Sequence, residues 1–113
     1  MALGKRNIAN LVDLIDQFNH TWKIASGRWG NSSPYATALR NRKTDLQLQL
    51  IHNYLSNIFL EIDDSPEFEE IQISIKLNTP VKKPNGSLRS DANHIPFRVL
   101  EMNVKDIHSL IQE

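Results

Sequence analysis

The chain has 113 residues, room for one domain spanning 1–113. Apolar residues make up 40% of it and charged residues 23%, which builds a core and excludes a disordered chain. Net charge is zero and cysteine is absent, so an indiscriminate nucleic-acid binder is disfavoured and disulfides and thiolate metal sites are excluded. No apolar run approaches the ~20 residues of a membrane span, and residues 1–10 lack the apolar stretch of a signal peptide. The expectation is a cytoplasmic protein without membrane contact.

The first element is a helix. Ile8, Leu11, Val12, Ile15, Phe18 and Trp22 recur at three- and four-residue steps and share one face, with Asp13, Asp16 and Gln17 on the other. Gly27 is the expected stop. A loop, "GRWGNSS", follows, and Ser33–Pro34 reads as a helix start: a capping hydroxyl, then proline at the first helical position. A second capping pattern, Thr44 to Gln47, means that this helix either runs through Asn41–Thr44 or restarts there. Leu48, Ile51, Leu55, Ile58 and Ile62 extend the apolar stripe, so the helix is expected to reach Ile62 and stop at Asp63–Pro66.

Ile71, Ile73, Ile75 and Leu77 alternate with polar residues, and a second apolar alternation lies at Ile95, Phe97 and Val99. This is the period of strands with one buried face. The two strands, about 69–83 and 87–102, make a hairpin. A two-residue loop at Asn85–Gly86 would point the apolar sets to opposite sides. A three-residue loop, Pro84–Asn85–Gly86, sets Ile71 against Val99, Ile73 against Phe97 and Ile75 against Ile95 on one face. The second register is expected. Pro96, lacking a donor, belongs on an outer edge or a bulge. A short helix closes the chain, with Asn103 as its cap and Val104, Ile107, Leu110 and Ile111 inward. The fold class is therefore α+β: two packed N-terminal helices, a β-hairpin and a short C-terminal helix, in the order α-α-β-β-α.

Two strands alone are marginal in water. Their open edges need a missed third strand, with Leu46–Ile51 or Leu100–Val104 the candidates, or a second copy of the chain. A homodimer or other homo-oligomer is expected on this ground.

Charge is segregated along the chain. Residues 1–44 hold seven bases and two acids, and residues 45–75 hold seven acids and no base. These blocks either neutralise one another or meet partners. Two basic regions stand out. Arg28, Arg40, Arg42 and Lys43, with Lys23 nearby, are interleaved with Trp22, Trp29 and Tyr35. Lys82 and Lys83 sit at the hairpin tip with Arg89 close by. Arg28, Trp29, Arg40, Arg42, Lys43, Lys82, Lys83 and Arg89 are thus the candidate partner surface. Either their cations neutralise phosphates while Trp29 stacks on a base, or Trp29 folds back on the helices and Arg40 and Lys43 pair with Asp45, Glu61 or the acids at 63–70.

Chemistry is sparse. His20, His52, His94 and His108 have no metal-ligand spacing, and Glu67, Glu69 and Glu70 read as a solvated acidic run. No Walker loop, dinucleotide fingerprint or nucleophile elbow is present, and no cofactor is expected. Glu101, Asn103 and Lys105 only loosely approach the carboxylate–lysine pattern of metal-dependent nucleases, with Asp63 and Asp64 as the further acids, so a nuclease-like enzyme is a remote alternative. The leading expectation is a non-enzymatic, self-associating domain that binds another protein as an adaptor or accessory. The alternative is a nucleic-acid-binding accessory protein.

Overall fold

The computed structural model describes residues 7–66 and 69–112. Helix α1 spans Ile8–Trp29 and α2 spans Pro34–Asn53. A short 3-10 turn at Leu55–Asn57 leads into β1 (Ile58–Asp63). Strands β2 (Gln72–Lys82) and β3 (Leu88–Pro96) form the hairpin. Helices α3 (Phe97–Asn103) and α4 (Ile107–Leu110) follow, and β4 (Ile111–Gln112) ends the described chain. The α+β class holds, with two packed helices, a hairpin and C-terminal helical structure in that order. No helix among the described residues is long and apolar enough to cross a membrane.

Local chemistry explains the helix boundaries. Asn7 caps α1 by accepting the Asn10 N–H, and Ser33 caps α2 by accepting the Ala36 N–H ahead of Pro34. Helix α1 does not stop at Gly27. It runs one turn further to Gly30, whose φ of 91° takes the left-handed turn while its N–H bonds the Ser26 carbonyl. Helix α2 passes through Asn41–Thr44 without restarting, and the Thr44 hydroxyl bonds back to the Arg40 carbonyl.

The helix expected to reach Ile62 ends at Asn53, and Ile58–Asp63 is a strand. Positions four apart share a face in both a helix and a strand, so Ile58 and Ile62 satisfied either pattern. Pairing decides the matter: β1 lies antiparallel to β2 with Leu60 opposite Ile75 and Ile62 opposite Ile73. The third strand is therefore neither Leu46–Ile51, which is helical, nor Leu100–Val104, which lies in and just beyond α3. The sheet has the order β3-β2-β1-β4, with Ile111 of β4 parallel to Leu60.

The hairpin turns as expected. Lys82 faces Leu88, the Lys83 N–H bonds the Ser87 carbonyl, and Gly86 adopts φ 90° at the third loop position. Further down, the register shifts twice. Residues 77–80 of β2 stand against residue 90 alone, and residues 92 and 93 of β3 stand against residue 75 alone. The net slip is two residues, so Ile73 faces Ile95 and not Phe97, and Ile75 does not face Ile95. An even slip preserves the buried face. Ile73, Ile75, Leu77 and Ile95 remain in one core with Leu11, Ile15, Leu46, Leu50 and Leu60. The opposite face is polar, with Glu61, Ser74 and His94 as cross-strand neighbours.

Strand β3 ends at Pro96, on the outer edge as its missing donor requires. Phe97–Asn103 is helical, not strand, because Leu100, Val104 and Ile107 reach the core by helical spacing. Asn103 is not a cap. It is the last residue of α3, its amide donates to the Val99 carbonyl, and the expected C-terminal helix shrinks to α4, which begins after Asp106 at φ 59° and gives way to β4 at Ile111. Val104 and Ile107 are nevertheless buried.

Gln47, fully buried on α2, donates to the carbonyls of Ala92 and His94 at 2.8 and 3.0 Å. These groups flank Asn93, whose φ of 65° forms the bulge of β3. The amide thus pins the edge strand to the helical layer. Gln47→Met keeps the volume but removes the amide donor from the Ala92 and His94 carbonyls, and is expected to cost about 1–3 kcal/mol in urea unfolding. Unchanged stability would show that the pin is dispensable.

Candidate functional site

The α1–α2 hairpin is antiparallel and closes tightly at its turn, where Ala25 packs with Ala36 and Leu39, flanked by Phe18 and Trp22. Further down, Asn19 and Trp22 of α1 meet Lys43 of α2, and β3 and the start of α3 close the far side. The result is a groove of about 620 Å³.

Its lining is cationic. Lys23, Arg40, Lys43 and Arg98 line it against one carboxylate, Glu70. Glu70 accepts two 3.2 Å hydrogen bonds from Arg98, and these, with the charges of Arg98 and Arg40, lower its carboxyl below the ordinary value. Lys43 is 9% exposed. Its ammonium donates to Asn19 Oδ1 at 3.1 Å and lies 5.3 Å from the centre of the Trp22 ring. No carboxylate pairs with it among the described residues. Burial first, and then the charges of Lys23 and Arg40, pull it down to about 8.

Two further donors belong to the same lining. The indole N–H of Trp22 and Nδ2 of Asn93 are buried without a hydrogen-bond partner among the described residues. A buried unpaired donor costs about 1–3 kcal/mol and is uncommon. Asn93 also adopts a positive φ, which asparagine tolerates better than most residues. Its Oδ1 is held by Arg89 at 2.8 Å.

The residues singled out from the sequence divide between separate places. Arg40 and Lys43 line the groove. Arg42 is exposed on α2. Arg28 and Trp29 end α1 rather than lying in a loop. The Trp29 ring meets Tyr35 edge-on at 5.6 Å, with Arg28 at the same distance, and stays 55% exposed. It packs on the next helix and still faces solvent. Trp29 lies about 9 Å along the helix from Lys23 at 1.5 Å per residue.

The hairpin-tip bases do not join the groove. Lys82 is exposed, while Lys83 and Arg89 both grip Asp16 of α1, at 2.6 and 2.8 Å. Lys83 also reaches Asp13 at 3.8 Å, and Arg89 reaches Asp91 at 2.9 Å. Burial acts to raise the Asp16 carboxyl, but the Lys83 hydrogen bond and the charges of Arg89, Lys83 and His20 outweigh it and leave it lowered. The acids expected on the open side of α1 are therefore the anchor of the hairpin.

Trp22 and Lys23 were legible as an aromatic–basic pair. Arg98, Glu70 and Asn93 were not, because only the path of β3 into α3 brings them opposite α2. The histidines and acids also sort out. His94 binds Asp63 at 3.0 Å, and Asp63 accepts the Ser65 hydroxyl at 2.7 Å. The carboxylate sits between the other two, so the Ser65 hydroxyl is spent on Asp63 and is not directed at His94. Asp63 closes β1 instead of preceding a strand, and Glu101 lies on α3 beside His108 at 3.3 Å. Glu67 lies outside the described residues. Among the described residues no three His, Cys, Asp or Glu side chains are grouped to hold a metal ion. Compared with known protein families, curated proteins and solved structures, the chain matches none.

Two outcomes are expected. Lys43 has a folded pKa below its unfolded value, so it penalises folding fully below about 8 and the penalty fades as pH rises toward 10.5. Lys43→Met is expected to be at least as stable as the parent at pH 7, with the difference shrinking across that window in paired urea titrations. Asp16→Asn removes the carboxylate that Lys83 and Arg89 share, leaving Asp13 to the one and Asp91 to the other, and is expected to lower stability by about 1–2 kcal/mol at neutral pH. Because the Asp16 carboxyl is lowered in the fold, its contribution is present above the unfolded carboxyl pKa and is lost as pH falls through the folded value. The Asp16→Asn difference should therefore shrink in acid.

Proposed function

We propose that this chain is a non-catalytic protein-binding domain, an adaptor or accessory module that seats an acidic segment of a partner protein in the groove between α1, α2 and β3. The observation that carries this reading is the charge of the lining: four cationic side chains against one carboxylate already bound to Arg98. An acidic segment supplies the missing negative charge, and the flanking Trp22 and Val99 offer apolar surface for its side chains. The hydroxyl of Thr44 is engaged by a helix carbonyl, which suits a binding surface better than a nucleophile.

The ribbon is not two-stranded: β1 and β4 extend the sheet within one chain. Self-association therefore loses that ground, and the partner proposed is another protein. Nucleic acid is the second reading, favoured by the exposed Trp29 beside Arg28 and Tyr35. It ranks lower because Lys83 and Arg89, the strongest part of the second basic region, are committed to Asp16.

Fluorescence anisotropy with a labelled Glu/Asp-rich peptide and with labelled single- and double-stranded oligonucleotides separates the two. The expected result is peptide binding that Arg40→Glu weakens by about tenfold. Oligonucleotide binding with a steep salt slope and no peptide binding would replace this reading with the nucleic-acid one.

A further inference from the structure

The side chains lining the groove do not serve equally. Lys23, Arg40 and Arg98 are exposed and give a diffuse positive field. Lys43, Trp22 and Asn93 differ: each brings a buried polar group to the same lining, and none of these groups is paired with an acceptor of opposite charge. Asn93 holds its place at a positive φ as well. A buried donor without an acceptor, in the lining of a groove, is a place for an incoming acceptor atom.

We infer that Lys43, Trp22 and Asn93 form a seat for one carboxylate group, the side chain of an aspartate or glutamate in the partner segment, with the ammonium supplying the charge and the indole and amide N–H groups the hydrogen bonds. This rests on the reading of the groove as the working surface and narrows it to a single anchor. A carboxylate has one negative charge and two oxygens, which match one ammonium and two spare N–H donors. A phosphate dianion carries a second charge that Glu70, across the groove, opposes. The depressed Lys43 supports the seat: an anion beside it restores its charged form, so affinity falls as pH climbs through about 8. The charged and titratable groups facing Lys43 are Lys23 from α1, Arg40 from its own helix, Glu70 ahead of β2, His94 from β3 and Arg98 from α3.

The test uses the full chain labelled with nitrogen-15. The Trp22 indole and Asn93 amide signals are followed during titration with butyrate, a monocarboxylate, with the acidic peptide and with inorganic phosphate, each against sodium chloride at equal ionic strength. The chain has two tryptophans, so Trp29 provides an internal reference. Butyrate and peptide are expected to shift both reporters saturably. Lys43→Met should weaken butyrate by at least about tenfold. Asn93→Gly, which relieves the positive φ, should keep the fold and lose affinity in the same way. Peptide shifts confined to Arg40 and Arg98, with Trp22 and Asn93 unmoved, would overturn the seat and leave the adaptor reading standing. Butyrate shifts without peptide binding would keep the seat and count against the adaptor. Saturation by phosphate in preference to butyrate would overturn the carboxylate assignment.

Discussion

The side-chain amide of Gln47 crosses from α2 to β3 and donates to the carbonyls on both sides of Asn93. Most of what distinguishes this molecule from a plain helix-on-sheet layer follows from that contact. With two carbonyls turned toward the helix, the strand accommodates an extra residue, and Asn93 takes a left-handed conformation. The edge of β3 is then engaged by α2 instead of being left wholly open for another strand. A buried amide making two backbone hydrogen bonds also fixes the register of the layers, which apolar contacts alone leave free to slide.

The bulge organises the charges. It sets the Asn93 amide oxygen where Arg89 grasps it, and Arg89 in turn reaches Asp16 on α1, joined by Lys83 from the hairpin tip. One carboxylate thus ties α1 to the hairpin at both Lys83 and Arg89. The consequence lies on the other side of the helices. Asp13 and Asp16, the two acids of α1, are consumed by the hairpin. Lys23, Arg40 and Lys43 are left to the groove with only Glu70 opposite, and the segregated charge of the sequence becomes a cationic surface.

Lys43 shows the energetic character of that surface. Its ammonium finds an amide oxygen and an aromatic face, and burial still holds its pKa at about 8. Trp22 and Asn93 add unpaired donors. Three destabilising features thus share one lining, which accords with the binding role proposed for it.

The sequence by itself determined what depends on neighbours along the chain: both N-terminal helices through their caps and apolar stripe, the three-residue turn at Pro84–Gly86, and the buried face of Ile73, Ile75 and Ile95. It also marked Arg40 and Lys43, because basic residues without adjacent acids are visible locally. What only the tertiary structure decided depends on contacts made across the fold. Ile58 and Ile62 suit helix and strand equally, and the need of β2 for a second partner makes them strand. The two register shifts leave no trace in the alternation, since their net even slip restores the pattern. Lys83 and Arg89 look as free in the sequence as Arg40 does, yet they lie within reach of Asp16, 67 and 73 residues away. Local pattern reports which side chain is buried or charged. Which charge meets which is settled by the packing of α1 against the hairpin, and it is that packing which left one groove unneutralised.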